Sequence, residues 1–284
     1  MAADAACGAT VTPKSLEGRV AIVTGAGTIG PGVGVGKATS VVLARQGVRL
    51  VLVDIDRDRV ADTQQLVAGE GGEAVVHVGS VARAEDCRAA VGLAVETFGS
   101  IDIVVNNAAA SIPGTVVSLT DDDWAQVVGV TLMGAVLMSR SAVPVMKSAG
   151  SGSIVNISSI ASSRGYVHAA YASAKGGLEA LTRDMAVAHG RDGIRVNAIQ
   201  PGHLHTPRVS AIGDASGGRR PDQDLRAAAS PLGTEGTGWD VAWAVEYLVS
   251  ERARWVTGVI LPVDGGVMCT SYMSMQPVIS RERD

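Results

Sequence analysis

Two residues of one helical stretch have the types and spacing for proton transfer. Tyr171 and Lys175 stand four positions apart within residues 170–190, and residues four apart share one face of an α-helix. A free phenol ionises near pH ~10, and a neighbouring ammonium favours the phenolate, which suits general acid/base chemistry near neutral pH. A lone Tyr and Lys at this spacing are more often a surface pair, so the surrounding elements must decide between these interpretations.

Length and composition predict one large globular domain. The chain has 284 residues, of which 46% are hydrophobic, enough to bury a sizeable core. A net charge of −4 without a basic stripe argues against nucleic acid or an anionic membrane surface as a partner. Cys7, Cys87 and Cys269 are far apart and odd in number, which predicts reduced thiols and a cytoplasmic location.

The first residues of the chain and its apolar stretches do not have the pattern of targeting signals. Residues 1–16 lack the basic start and apolar middle of a signal peptide, so we expect a flexible leader. No segment has the ~18 apolar residues of a membrane helix without interruption by charge or Pro. The sequence therefore predicts no membrane partner.

A glycine-rich stretch after the first predicted strand suits a phosphate group. Residues 19–24 are β-branched, residues 25–36 are glycine-rich, and a helical pattern begins after them. Glycines let a backbone approach a ligand, and a helix N-terminus offers N–H groups and partial positive charge. Gly25, Gly27 and Gly30 have the GxGxxG spacing, but the residues that follow make a poor first helical turn. We place the helix start near Gly36, with a flexible surface loop as the alternative.

Asp54 closes the second predicted strand, residues 48–53, and lies 18 positions after Gly36. In dinucleotide-binding folds a carboxylate at this place holds a ribose hydroxyl. It would repel a 2′-phosphate, and no Lys or Arg stands between Gly25 and Gly36 to attract one. The sequence therefore predicts NAD, with NADP less favoured, unless Asp54 merely caps the following helix.

Strands and helices alternate along the rest of the chain. Further strands are predicted at 74–78, 101–106, 152–158, 193–199 and 259–263, and helices at 57–68, 84–98, 121–147, 170–190 and 239–250. This order predicts an α/β, Rossmann-type, doubly wound sheet, seven-stranded and mostly parallel, with helices on both faces. We expect residues 17–266 to form a single dinucleotide-binding and catalytic domain.

Small and polar residues follow three of these strands at the carboxyl edge, where ligands bind in open α/β sheets. They are Asn107 and Ala108, the pair Ser158 and Ser159, and Pro201, Gly202 and Thr206. The helix over 121–147 is apolar nearly all round, so we expect one face to meet a second subunit.

Two segments without strong periodicity are expected near the substrate. Residues 209–238, rich in Gly, Asp and Arg, are interpreted as a mobile lid, and the tail 267–284 as part of the pocket wall.

Four polar residues near this edge have ordinary interpretations. His203 and His205 lack Cys or acidic partners at metal-binding spacing, so no metal is expected. Glu179 and Arg183, four apart, are most simply an exposed ion pair.

Taken together, these positions resemble the short-chain dehydrogenase/reductase family over about residues 16–266. The landmarks that agree in type and order are Thr24-Gly25 with Gly34 and Gly36, Asp54, Asn106-Asn107-Ala108-Ala109, Ser158-Ser159, Tyr171 with Lys175, Pro201-Gly202 with Thr206, and Val263-Asp264-Gly265-Gly266. Each motif alone is weak, but their joint order strongly favours the functional interpretation of Tyr171 and Lys175.

The resemblance implies a role for each matching residue. Tyr171 would exchange a proton with the substrate oxygen, Lys175 would favour its ionised form and bind the nicotinamide ribose, and Ser159 would hold the substrate oxygen. The cofactor would be bound by Gly25, Gly34, Gly36, Asp54, Asn107, Ala108, Tyr171, Lys175, Pro201, Gly202 and Thr206. Thr206 and the backbone after Pro201 would orient its carboxamide. The resemblance also implies a homotetramer.

The chain departs from the family pattern in its glycine loop and in its long helix. The loop is five residues longer than the usual spacing, so we interpret Gly34-Val35-Gly36 as the family's GxG and the insert as a bulge near the phosphates. Thr131 stands where the family carries an Asn in the triplet VNL. Its hydroxyl can hold a water but offers no amide, which puts the usual water relay from Lys175 in doubt.

The serine loop is one residue shorter than usual if Ser159 is the functional serine, whereas Ser158 has the usual separation from Tyr171. We favour Ser159 because it aligns better with the strand end. The leading hypothesis is an NAD-dependent oxidoreductase that interconverts a secondary alcohol and a ketone. The alternative is a catalytically impaired NAD-binding sensor or assembly subunit, which the Thr131 departure favours and the intact Tyr171 and Lys175 oppose.

Overall fold

A seven-stranded parallel sheet forms the centre of the computed structural model, which describes residues 16–207, 209, 223–271 and 273–275. Its strands are β1 (Val20–Thr24), β2 (Arg49–Asp54), β3 (Ala74–Val78), β4 (Ile103–Asn106), β5 (Gly152–Ile157), β6 (Ile194–Pro201) and β9 (Ile260–Val263). They lie in the order β3-β2-β1-β4-β5-β6-β9. This confirms the predicted doubly wound sheet. The order in which successive strands are added to the sheet reverses between β1 and β4. Open α/β sheets bind their ligands at such a switch point.

Helices cover both faces of this sheet. They are α1 (Val35–Arg45), α2 (Arg57–Gly69), α3 (Ala84–Phe98), α4 (Asp121–Val128), α5 (Gly134–Ala149), α6 (Ala169–His189), α7 (Gln223–Ala228) and α8 (Gly238–Val249). One core cluster joins Leu43 of α1 and Leu248 of α8 to one sheet face, and the other joins Ala90 of α3 and Met138 of α5 to the opposite face. Covering on both faces explains why the central strands are continuous apolar runs rather than alternating patterns.

The long apolar helix is interrupted by a π-helical turn, Gly129–Met133, between α4 and α5. The capping box of Thr120 and Asp123 fixes its start, as the acid-rich sequence predicts. By length and composition alone, Asp121–Ala149 is the one stretch of the described residues that could span a membrane, with a mean hydropathy of 1.5. Met138 is fully buried in the core, whereas Met133 is 40% exposed, so one side of the stretch packs against the sheet and part of it lies at the surface.

One boundary differs from the sequence prediction. Leu16, assigned to the leader, is fully buried in the core, because its side chain joins the cluster under α1 and β2. The second part of the predicted lid 209–238 contains α7, and β8 (Gly236–Thr237) pairs there with β7 (Leu204–His205). The rest of the lid, except Val209, and the leader 1–15 lie outside the described residues, as does most of the tail.

Candidate active site

A cavity of about 520 Å³ opens at the carboxyl edge of the sheet. Every residue that the sequence assigned to catalysis or cofactor binding lines it, with the exception of Thr131. The predicted site residues among its lining are Gly25, Gly34, Gly36, Asp54, Asn107, Ala108, Ser159, Tyr171, Lys175, Pro201, Gly202 and Thr206. Residues spread over most of the chain therefore converge on one site because their strands end at the same edge.

Tyr171 and Lys175 lie on one face of α6, as their spacing predicts. Lys175 is 2% exposed and donates a hydrogen bond to the carbonyl of Ile157, at the end of β5. Its Nζ lies 5.5 Å from the centroid of the Tyr171 ring. An ammonium held this close to a phenol in a buried site favours the ionised phenolate.

The two serines after β5 have different surroundings. Ser158 is 2% exposed, and its hydroxyl donates to Glu179 Oε1 at 2.6 Å. Ser159 begins the short 3-10 turn Ile160–Ser162, and its Oγ accepts from the backbone N–H of Ala161 at 3.2 Å. The Ser158 hydroxyl thus donates its proton to another side chain of the protein. The Ser159 hydroxyl accepts a hydrogen bond from the backbone, so its own proton can be donated to a ligand in the cavity.

Glu179 corrects a prediction from the sequence. We expected an exposed ion pair with Arg183, but the Glu179 side chain is buried, with 8% of the residue exposed. Its Oε1 accepts from Ser158, from Ser162 at 2.5 Å and from Gln200 Nε2 at 3.0 Å. The spacing of Glu179 and Arg183 could not reveal this, because the partners come from β5, β6 and the serine turn.

The glycine loop packs too closely for side chains at two positions. Gly25 has φ +63°, and a Cβ there would lie 2.8 Å from the Cα of Ala108. A Cβ on Gly36 would lie 2.1 Å from the carbonyl oxygen of Gly25. Asn107 braces the same turn, since its Nδ2 donates to the carbonyls of Thr24 at 3.1 Å and Gly25 at 2.9 Å. Asn107 therefore stabilises the conformation of the glycine loop through these two hydrogen bonds.

The start of α1 can hold an anion. Gly34 is the N-cap residue and provides no side-chain cap, so first-turn N–H groups lack the usual side-chain partner at a place that lines the cavity. This agrees with the predicted helix start near Gly36. The bulge before it is closed by Thr28, whose Oγ1 accepts from Gly34 N at 3.2 Å. At Gly32 the backbone runs against Pro207, where a Cβ would lie 2.9 Å from Cγ.

Asp54 lines the cavity beside the glycine loop. Its Oδ2 accepts from Gly27 N at 2.8 Å and its Oδ1 from Asp56 N at 3.1 Å. A carboxylate has about four lone-pair positions, so it can still accept from ribose hydroxyls. Arg59 also lines the cavity, and its Nε lies 3.1 Å from Asp56 Oδ2. The sequence did not indicate Arg59, because this cation stands in α2, outside the stretch between Gly25 and Gly36 that was expected to meet the phosphates.

A second unpredicted cation, Arg226 of α7, lines the cavity. Its Nε lies 2.5 Å from Glu235 Oε1, and its Nη2 donates to the Leu204 carbonyl at 3.2 Å. Nearby, the Tyr166 hydroxyl contacts His203 Nε2. Burial raises the pKa of Tyr166, so this phenol remains protonated near neutral pH, unlike a phenol placed beside a buried ammonium.

Thr131 lies in the π-helical turn and is 1% exposed. Its Oγ1 accepts from Ala110 N at 3.1 Å and donates to the Ala110 carbonyl at 3.0 Å. A hydroxyl has one proton, and here that proton goes to the backbone. Thr131 therefore holds the segment after β4 in place, and only its remaining lone pair could serve a water.

The cavity fits a nicotinamide dinucleotide in the chemistry of its lining. Uncapped N–H groups of α1 suit the diphosphate, Asp54 suits a ribose, and Tyr171 and Lys175 line the same cavity. A family model described as enoyl-(acyl carrier protein) reductase matches residues 30–268. The chain belongs to the short-chain dehydrogenase/reductase family. It is an oxidoreductase that acts on CH–OH groups with a nicotinamide cofactor.

Relatives in this family extend over nearly the whole chain. A cyclohexanol dehydrogenase from Acinetobacter sp. (strain SE19) is 34% identical over 90% of this chain and 97% of its own. A cis-4-hydroxycyclohexanecarboxylate dehydrogenase from Sinomonas cyclohexanicum is 36% identical over 89% and 98%. A solved protein from Burkholderia xenovorans, assigned to the same family, is 37% identical with a TM-score of 0.88, over 91% and 99% of the two chains.

Proposed function

We propose that this protein is an NAD-dependent dehydrogenase that interconverts a secondary alcohol and a ketone, with Tyr171 as general acid/base. One observation carries the proposal: Tyr171, Lys175 and Ser159 line the same cavity as Asp54 and the glycine loop. A tuned proton acceptor and a dinucleotide-binding surface in one cavity are what coupled hydride and proton transfer needs.

Tyr171, Lys175 and Ser159 have different roles at the substrate oxygen. Bound NAD would supply the acceptor for the hydride of the carbinol carbon. The Tyr171 phenolate takes the proton of the alcohol, and the buried Lys175 ammonium stabilises the phenolate before that transfer. The Ser159 hydroxyl donates a hydrogen bond to the same substrate oxygen and fixes its position. In the direction of reduction, Tyr171 returns the proton.

We propose NAD rather than NADP because of the surroundings of Asp54. Two backbone N–H groups hold its carboxylate in place, so the charge stays at the position where a 2′-phosphate would lie. Arg59, which could attract such a phosphate, is engaged by Asp56.

The substrate class that the observations favour is an alicyclic secondary alcohol. Apolar residues such as Val130 and Leu204 line the same cavity as Tyr171, and two of the relatives are named as dehydrogenases of cyclohexane-ring alcohols. Arg226 is already paired with Glu235, which reduces the attraction of the cavity for a charged substrate.

The assembly and location are part of the proposal. The helix Asp121–Ala149 leaves apolar residues such as Met133 at the surface, 40% exposed, and the family resemblance favours a homotetramer. The cysteines that the structure describes, Cys87 and Cys269, are unpaired, in agreement with a reducing, cytoplasmic compartment.

The proposal is tested by initial rates of reduced-nicotinamide formation, measured with NAD and with NADP against alicyclic, open-chain and aryl secondary alcohols. We expect turnover with NAD and a preference for the alicyclic series. Binding of NAD by calorimetry without turnover on any alcohol would instead favour the sensor or assembly role.

A further inference from the structure

We infer that Glu179 is a positioning residue, which sets Ser159 toward the substrate by fixing the turn that carries it. The inference rests on the proposed function for its catalytic consequence, although the contacts themselves do not. Glu179 continues the face of α6 that bears Tyr171 and Lys175, four residues beyond Lys175. One helix face thus carries the proton acceptor, its neighbouring cation and the carboxylate that holds the serine turn.

The carboxylate binds the turn at two points. Ser158, directly before Ser159, donates to Glu179 Oε1 at 2.6 Å. Ser162 lies 2.5 Å from the same oxygen and 2.7 Å from the carbonyl of Ser159, so the one proton of Ser162 is shared between these two acceptors. The backbone of Ser159 is therefore held from both sides.

Rigid elements support this arrangement. The backbone N–H of Ser158 donates to the Ile199 carbonyl of β6 at 2.7 Å, and Gln200 of β6 donates to Glu179 Oε1 at 3.0 Å. Gln200 Nε2 also reaches Ser162 Oγ at 2.8 Å. The turn is thus tied to β6 and α6 together, and sites supported in this way keep their geometry better than sites on unsupported loops.

The three donors to Oε1 are neutral groups, two hydroxyls and an amide. Loss of the acceptor would leave the buried Ser158 hydroxyl without the oxygen it donates to, at the cost of an unsatisfied buried donor. Ser162 and Gln200 would each lose one of the acceptors they now share. Removal of Glu179 should therefore loosen the serine turn specifically. The cofactor-binding glycine loop, which Glu179 does not contact, should keep its geometry.

The test compares Glu179→Ala with Glu179→Gln, which keeps an oxygen acceptor, and with Glu246→Ala. Glu246 is also a buried glutamate, 5% exposed, but it lies on α8 and pairs with Arg252. For Glu179→Ala we expect kcat to fall about 10- to 100-fold, the cost of a misplaced reacting group, while the NAD dissociation constant stays within about threefold. Glu179→Gln should recover kcat to within about tenfold of wild type.

The Glu246→Ala control distinguishes a loss of serine positioning from a general loss of stability. Glu246→Ala is expected to lower the melting temperature and to leave kcat within about twofold of wild type. Ser162→Ala should lose activity less than Glu179→Ala, and the double variant no more than Glu179→Ala alone, because the two residues act as one unit. Equal losses of kcat in the Glu179→Ala and Glu246→Ala proteins, or an unchanged kcat in Glu179→Ala, would overturn the inference.

Amide hydrogen exchange tests the same point without turnover. We expect faster exchange over residues 159–163 in Glu179→Ala than in Glu246→Ala, with the glycine loop unchanged in both. Unchanged exchange over 159–163 would refute the positioning role, whatever the activity. A wild-type protein that shows no turnover would instead count against the proposed function alone.

Discussion

One substitution, Asp54→Asn, should reduce the proposed preference for NAD over NADP. The Asp54 carboxylate is fixed by Gly27 N at 2.8 Å and Asp56 N at 3.1 Å, so it cannot turn away from a ligand. Charge-assisted hydrogen bonds to a ribose hydroxyl contribute about 1.5–3 kcal/mol. Removal of the carboxylate charge should weaken the binding free energy of NAD by an amount of this size.

The same change should improve NADP binding. Two unit charges 4 Å apart repel each other by about 1 kcal/mol in water and by more at a partly buried site. Adding about 1 kcal/mol of relieved repulsion to about 2 kcal/mol of lost NAD binding gives about 3 kcal/mol. The ratio of kcat/KM for NAD to that for NADP should therefore fall roughly 100-fold.

The assay is the initial rate with each cofactor at saturating alcohol, with Asp58→Asn as the matched control. Asp58 is exposed in the first turn of α2 and does not line the cavity, so its substitution removes the same charge without the contact. The ratio should change by less than about threefold in the control. A wild-type enzyme that prefers NADP, or equal effects of the two substitutions, would refute the reasoning.

Three further outcomes are expected. Deletion of residues 29–33 should raise the NAD dissociation constant roughly tenfold by calorimetry, because Ile29 of this segment lines the cavity; unchanged affinity would contradict this. Burial raises the pKa of Cys87 to about 11, so a maleimide at pH 8 should modify the exposed Cys269 first; equally fast native labelling of Cys87 would show otherwise. Thr131→Val should lower the free energy of unfolding by about 1–3 kcal/mol in urea titrations, since Ala110 loses both partners, and an unchanged value would argue against that bracing role.

The sequence predicts the sheet and its helices well because apolar residues recur at different spacings in strands and in helices. β3 and α3 form over the predicted residues, 74–78 and 84–98, where each run is bounded by turn residues. The strand ends then place Asn107, Ser159 and Thr206 at one edge, as the rule for parallel sheets requires. Most of the cavity lining follows from this placement alone.

The contacts that the sequence could not predict join distant parts of the chain. The burial of Glu179 depends on Ser158 and Gln200, which approach α6 only after the sheet has formed. Arg226 enters the cavity from α7, a six-residue helix whose sequence has little periodicity. Local spacing alone could not place Glu179 and Arg226 against their partners, because those partners belong to other elements of the fold.

The most direct test of the account is Tyr171→Phe, measured for turnover and for NAD binding in parallel. Phe keeps the ring beside Lys175, whose Nζ lies 5.5 Å from its centroid, and removes only the hydroxyl that exchanges the proton. The account predicts a loss of kcat of about 10²- to 10⁴-fold, the usual contribution of general acid/base catalysis, with NAD affinity nearly unchanged. Turnover in Tyr171→Phe at close to the wild-type rate would contradict it.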